Sequence, residues 1–232
     1  VSFAGIQIKH DTKREIIQMN VTIVGTGNVA RGVATRLLAG GNSVTLLARS
    51  LEPAGELVSS LQKAAKGDAT VRVAPVGSDI EDDIVVLAVP YTAVKEIISQ
   101  NREQLTGKIV IDPTNPLNAT YSGLVTPADS SAAEEIAKLL PSGARVVKAF
   151  NTTFAGTVAA GQVAGQPLDV FIAGDDAEAK ATVSKLVEEG GLRAIDAGPL
   201  TRAHQLEAIA FLHISLQSTL GTGFGSTIRI AA

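Results

Sequence analysis

Short continuous apolar runs alternate along this chain with longer stretches whose apolar residues recur at helical spacing. The runs at 21–24, 44–47, 71–73, 84–89, 108–111, 145–150, 170–173 and 194–195 have strand length. The run at 84–89 carries no polar alternation, which predicts a strand covered on both faces. Residues 28–39 place Val29, Val33, Leu37 and Leu38 on a helical period and stop at Gly40 and Gly41. Pro53 suits the first turn of a helix reaching about residue 66, closed by Gly67. Further helices are expected over 91–100, from a Ser130 or Ser131 cap to 140, and from an Asp175 or Asp176 cap to Gly190. Thr201 is expected to cap a long apolar helix through about residue 220, with a glycine-rich tail at 221–225 after it. Residues 113–127 read as a Pro- and Asn-rich loop, long enough to suggest function. Residues 151–169 read as a connection rich in Gly, Ala and Thr.

Strands alternating with helices predict an α/β fold: one doubly wound, mostly parallel sheet with helices on both faces and right-handed crossovers. Residues 1–18 stand apart from this pattern. They lack the basic start, long apolar centre and small-residue cleavage site of a secretory signal. Met19, the single methionine, directly precedes the first strand run. Residues 1–18 are therefore expected to be a dispensable extension and 19–232 a single domain. The alternative is that 6–8 or 15–17 add ordered structure.

Composition narrows the function. The chain has 232 residues, is 45% hydrophobic and 19% charged, and can bury a sizeable core. A net charge of −3, with six Phe, two Tyr and no Trp, excludes the electrostatic grip and stacking platforms of a nucleic-acid binder. The absence of cysteine excludes disulfides, thiolate metal sites and cysteine nucleophiles. No apolar run reaches the ~18 residues a membrane span needs. The expectation is a soluble, cytoplasmic protein that engages neither membrane nor nucleic acid.

The strongest local signal lies between the first strand and the first helix. Gly25, Thr26, Gly27, Asn28, Val29 and Ala30 spell G-x-G-x-x-A in the strand–turn–helix context that the dinucleotide fingerprint requires. Gly25 permits the tight turn, Gly27 admits a pyrophosphate close to the backbone, and the helix start offers N–H groups to the anion. The plainer alternative is an ordinary strand-to-helix turn. A P-loop is excluded, since no lysine follows at the required spacing.

The cofactor type is read at the end of the second strand. An NAD site places Asp or Glu there to accept from the ribose hydroxyls. This chain has Arg49 and Ser50 instead. A guanidinium can pair with a 2′-phosphate in a forked geometry and Ser50 can donate to it, so NADP(H) is expected rather than NAD. Later strand ends add Ala88, Val89 and Pro90, then Thr114 and Asn115, then Asn151 and Thr153. Ligands gather outside such carboxyl ends, and these amides and hydroxyls can hold a carboxamide or a substrate carbonyl. Singly, each Asn or Pro equally well builds a turn.

His10, His204 and His213 are the only histidines. The last two sit in an apolar helix where packing or surface exposure is the plainer role. No H-E-x-x-H, G-x-S-x-G or clustered His/carboxylate spacing appears, so no metal and no acid–base cluster is expected.

With these residues in hand, the chain resembles the coenzyme F420-dependent NADP oxidoreductases. The resemblance rests on GTGNVA at 25–30, Ala48-Arg49-Ser50, Ala88-Val89-Pro90, DPTNPL at 112–117, VKAFNT at 147–152, Gly198-Pro199-Leu200 and GTGFG at 221–225. It implies a single Rossmann-like domain with a small C-terminal helical portion, often paired as a homodimer. It also implies hydride transfer between NADPH and a small-molecule redox acceptor, F420 or a flavin-like ring. Such chemistry needs little acid–base help. Where F420 reductases carry a histidine after the Ala-Phe pair, this chain has Asn151, a departure that bears on the acceptor and not on NADP. The acceptor wall is expected from Thr114, Asn115, Asn151 to Thr153 and the tail, with Phe150 or Phe224 as an aromatic edge. Two alternatives remain: an NADP(H)-dependent reductase of a small carbonyl or imine, and a non-catalytic dinucleotide-sensing protein.

Overall fold

A computed structural model describes residues 18–231. The expectation for the extension falls almost entirely outside the described residues. From Asn20 the chain runs through strand β1 (Asn20–Val24), helix α1 (Asn28–Ala39), β2 (Ser43–Ala48), α2 (Glu52–Gln62) and β3 (Val71–Pro75). It returns through β4 (Ile84–Leu87), α3 (Tyr91–Asn101), β5 (Ile109–Asp112), α4 (Ala132–Leu139) and β6 (Arg145–Lys148). Then come α5 (Ala155–Ala160), β7 (Gln162–Val163), β8 (Gln166–Pro167), β9 (Asp169–Ala173), α6 (Ala177–Glu189) and β10 (Arg193–Gly198). Helices α7 (Ala203–Ser215) and α8 (Gln217–Leu220) close it.

Eight strands form one sheet in the order β10-β9-β6-β5-β4-β1-β2-β3, while β7 and β8 make a separate two-stranded hairpin. Pairing is parallel throughout the main sheet except at a single antiparallel bridge, Lys148–Ala173, where β9 meets β6. The fold is the expected Rossmann-like, mostly parallel doubly wound sheet. Its order reverses between β1 and β4, so a crevice opens at their carboxyl ends.

The unbroken apolar runs reflect burial on two faces. Ile84, Val86, Ile109, Ile111 and Val147 join one core, while Val85, Leu87, Val110 and Val146 join the other. On the first side α1 packs very closely against its neighbours. A Cβ on Gly32 would lie 2.7 Å from the Ala155 carbonyl oxygen, and one on Gly190 3.0 Å from that of Arg36. Those approaches explain why so much of α1 is buried, while Val29, on the expected apolar stripe, stays 39% exposed at the mouth of the crevice.

The caps resolve as single residues. Ser131 accepts from the Glu134 N–H at 3.2 Å and Asp176 from the Ala179 N–H at 2.7 Å. Asp175 instead accepts from the Leu200 N–H at 2.8 Å, tying α6 to the start of the C-terminal portion. Three local expectations are corrected. Residues 151–169 are not a plain connection but hold α5 and the β7–β8 hairpin. Thr201 caps nothing: it lies inside a 3-10 turn, Leu200–Arg202, with no side-chain cap. The last helix is two, broken at Leu216.

Candidate active site at the carboxyl ends of the strands

Gly25 sits where β1 leaves the sheet, with φ +113°, and its N–H donates to the Leu47 carbonyl at 3.0 Å. A Cβ there would stand 2.4 Å from the Ala88 carbonyl oxygen, so only glycine lets β1 and β4 approach at the crevice. Gly27 is different. A Cβ on it would meet nothing within 4 Å, which leaves open space over its backbone at the start of α1. Arg49 and Ser50 follow β2 and are exposed.

A cleft of about 620 Å³ opens along this crevice, walled by Gly27, Val29, Ala88 to Pro90, Thr114 and Asn115. A second chamber of about 480 Å³ adjoins it and shares Val29, Asn115 and Tyr121. Asn151, Thr153, Phe154, His213 and Phe224 line the second chamber only. The structure thus gathers Gly27 to Val29, Ala88 to Pro90, Thr114, Asn115, Asn151 and Thr153 over two joined cavities, while Gly25, Thr26, Arg49 and Ser50 line neither. Phe150 is not among them. It is 4% exposed, at φ +67°, and belongs to the core, so Phe224 alone of the two expected rings reaches the chamber.

Where cleft and chamber meet, two amides pair. Asn115 Nδ2 donates to the Asn151 carbonyl at 2.8 Å, and Asn151 Nδ2 donates back to Asn115 Oδ1 at 3.0 Å. Two oxygens beside that pair are left over. Thr114 Oγ1 and Asn151 Oδ1 are buried without a hydrogen-bond partner. A buried polar atom without a partner costs about 1–3 kcal/mol, so a polar group arriving from the cavity has two ready sites. A groove of similar volume lies at the amino ends of β1, β2 and β4, but several of its polar groups are already paired: Asp82 with Thr22 behind it, Ser43 with Thr70, Thr45 with Arg72.

Next to Thr114 lies a charge cluster that the sequence reading missed. Lys148 is fully buried, and its Nζ donates to Asp112 Oδ2 at 2.8 Å, the Thr114 carbonyl at 2.6 Å and Glu207 Oε1 at 2.7 Å. Asp112 Oδ1 accepts from the Thr114 N–H at 2.8 Å, and Glu207 Oε2 from the Ala132 N–H at 2.9 Å. One ammonium therefore ties the ends of β5 and β6, the Thr114 wall and the amino end of α4 to helix α7. Burial pushes the Glu207 carboxyl above its ordinary range, and the Lys148 charge opposes that push. A signal was present: a lysine, an aspartate and a glutamate, each inside an apolar run, have to find partners in the core.

His213 packs, as expected, and lines the chamber. It is 5% exposed, lies 4.4 Å from the Phe154 ring, and shares a 2.8 Å hydrogen bond between Nε2 and Ser226 Oγ. Burial lowers its pKa, which favours the neutral ring near neutral pH. Among the described residues no group of three or more His, Cys, Asp or Glu is placed to hold a metal ion. No helix among them is long and apolar enough to cross a membrane.

A sheet that reverses beside a glycine turn at a helix start defines a Rossmann-like dinucleotide-binding protein. The family described as NADP oxidoreductase, coenzyme F420-dependent, matches residues 20–116. An F420-dependent NADP reductase of Methanothermobacter marburgensis is 33% identical over 211 residues, covering 85% of this chain and 92% of that protein. Its counterpart in Methanocaldococcus jannaschii is 32% identical over 226 residues, covering 90% and 98%. A solved structure from Arthrobacter sp. FB24, described as a candidate F420-dependent NADP-reductase, shares 30% identity at a TM-score of 0.79 and covers 92% of this chain and 100% of that one. The chain belongs to this family and is an NADP-dependent oxidoreductase.

Proposed function

We propose that this protein transfers a hydride between NADPH, seated in the 620 Å³ cleft, and a deazaflavin (F420) or flavin-like acceptor in the adjoining chamber. The observation that carries the reading is the pair of adjoining cavities, which share Val29, Asn115 and Tyr121, with the Asn115–Asn151 amide pair and two unpartnered buried oxygens where they meet. Gly25 to Val29 would cradle the pyrophosphate at the start of α1, where N–H groups face the anion and Gly27 leaves room for it. Arg49 and Ser50 would take the 2′-phosphate. Ala88 to Pro90 and Thr114 would wall the nicotinamide, with Thr114 Oγ1 left to accept from its carboxamide, while Asn151 Oδ1 is left for the ligand of the chamber. Bound NADPH supplies the hydride; the chain orients two rings and excludes water between them.

The chamber favours a hydride acceptor that needs no strong acid beside it. Its described wall carries no carboxylate, lysine or arginine, and its histidine is held toward the neutral form. The relatives named as F420-dependent NADP reductases support F420 as the acceptor class. Mixing the protein and NADPH with F420, riboflavin or a small ketone, and following loss of NADPH absorbance, tests the reading. Turnover with the planar acceptors and none with the ketone is expected. Binding of NADPH without oxidation by any of them would instead support a sensing protein.

Cofactor choice gives a separate test. Arg49→Ala is expected to weaken NADPH by about 1–3 kcal/mol while leaving NADH nearly unchanged, because only the 2′-phosphate loses a charge-assisted partner. Isothermal titration of both cofactors reads this directly, and equal losses for the two would remove Arg49 from the phosphate site.

A further inference from the structure

Two exposed aromatic rings on the rim of the chamber are held by backbone that costs energy to form. Tyr121 is 65% exposed at φ +55°, and Phe224 is 54% exposed at φ +63°; both line the 480 Å³ chamber. Left-handed backbone is unfavourable for a bulky side chain, and neither ring recovers that cost by burial. Strain of this kind persists only where the surroundings impose it.

The surroundings do impose it, by two unrelated devices. Around Tyr121, Leu117 and Leu124 form an antiparallel bridge. Asn118 Oδ1 accepts from the Ser122 N–H at 2.9 Å, and the Tyr121 N–H donates to the Asn118 carbonyl at 3.0 Å. Around Phe224, Gln217 Oε1 accepts from Thr222 Oγ1 at 2.7 Å while Gln217 Nε2 donates to Ser226 Oγ at 2.9 Å. The buried Gln217 thereby staples both ends of the turn that presents Phe224. Phe224 also meets the edge of Phe154, with ring centres 5.1 Å apart, and so continues the aromatic wall that His213 begins.

From this placement we infer that Tyr121 and Phe224 form an aromatic clamp that selects a planar, conjugated ring as the chamber's ligand. The assignment rests on the hydride-transfer reading of the same chamber and deepens it. A rigid aromatic rim rewards a flat π-system by stacking and edge contact and gives little to a small aliphatic carbonyl. Because the two turns are pre-formed, little ordering cost attends closure on the ring.

Riboflavin binding in the presence of NADP+, read by the flavin's own fluorescence, tests the clamp without turnover. The wild type is expected to bind riboflavin with strong quenching, as a tyrosine stacked on an isoalloxazine ring quenches it by electron transfer. Tyr121→Ala and Phe224→Ala should each raise the riboflavin Kd about three- to tenfold, whereas Tyr121→Phe and Phe224→Tyr should retain affinity within about twofold. Alanine variants that bind riboflavin like the wild type would overturn the clamp, as would a wild type that does not bind riboflavin. A wild type that binds riboflavin through these rings yet never oxidises NADPH would leave the clamp standing and sink the hydride-transfer reading.

Discussion

Lys148→Met is expected to destabilise the protein by about 3–5 kcal/mol, the cost of leaving buried charge without its counterion. The substitution keeps the length and volume of the side chain but strands Asp112 and Glu207, which both accept from Lys148 Nζ in the native core. Its pH dependence is the more specific signature. With the ammonium gone, the upward push that burial exerts on Glu207 is unopposed. The folded variant then holds a proton more tightly than the unfolded chain does. Its stability therefore falls as pH rises between the unfolded and folded pKa of that carboxyl, and the deficit against wild type is larger at pH 8 than at pH 5. Urea unfolding at the two pH values measures it. A pH-independent loss below about 1 kcal/mol would show that the cluster contributes little to the fold.

Gly25→Ala should damage the crevice directly. The added Cβ must avoid the Ala88 carbonyl oxygen, 2.4 Å away, at a φ of +113° that alanine rarely adopts. Backbone strain and overpacking together suggest a loss of about 2–4 kcal/mol. Relief by spreading β1 from β4 would displace the turn that offers its N–H groups to the pyrophosphate. NADPH affinity is therefore expected to fall at least tenfold in whatever protein remains folded. Gly27→Ala, whose Cβ meets no protein atom, should keep its stability and lose affinity only by filling the space left for the pyrophosphate. Urea unfolding and NADPH titration of both variants separate the two effects. An unchanged affinity in Gly25→Ala would mean that the turn tolerates displacement and does not set the phosphate site.

The sheet was legible because burial on both faces leaves its mark on a sequence as uninterrupted apolar runs. Helix α1 was legible to the residue, since Asn28–Ala39 carries both a periodic stripe and a glycine stop. Helix α5 was not. Its six residues, Ala155–Ala160, are mostly small and carry no readable period; they are helical because Gly32 lets α1 come against them. The break at Leu216 was hidden for the opposite reason: α7 is apolar nearly all round, so no stripe marks where its direction ends.

The candidate site divides along the same line. The glycine turn and the Arg49-Ser50 pair follow from local backbone and charge demands, and local demands are written locally. The amide pair of Asn115 and Asn151 is a contact across 36 residues of chain, and the Lys148–Glu207 pair one across 59. Nothing at either end specifies the other, although each buried charge announced that a partner had to exist. Tyr121 was passed over in the Pro- and Asn-rich loop that supplied Thr114 and Asn115, because a single aromatic in a turn carries no period. Its meaning lies in the cavity that it rims.

The most direct measurement follows the hydrogen itself. The protein is incubated with NADPH carrying deuterium at C4 of the nicotinamide on the transferring face, each face being labelled in turn, and with the oxidised deazaflavin as acceptor. Reduction places the transferred hydrogen on carbon at the acceptor ring, where it does not exchange quickly with water, so mass spectrometry of the product reports its origin. Direct transfer between two rings in contact where the cleft meets the chamber predicts one deuterium in the reduced deazaflavin from one labelled face and none from the other. Reduced acceptor without deuterium from either face, or NADPH left unoxidised, would contradict the account.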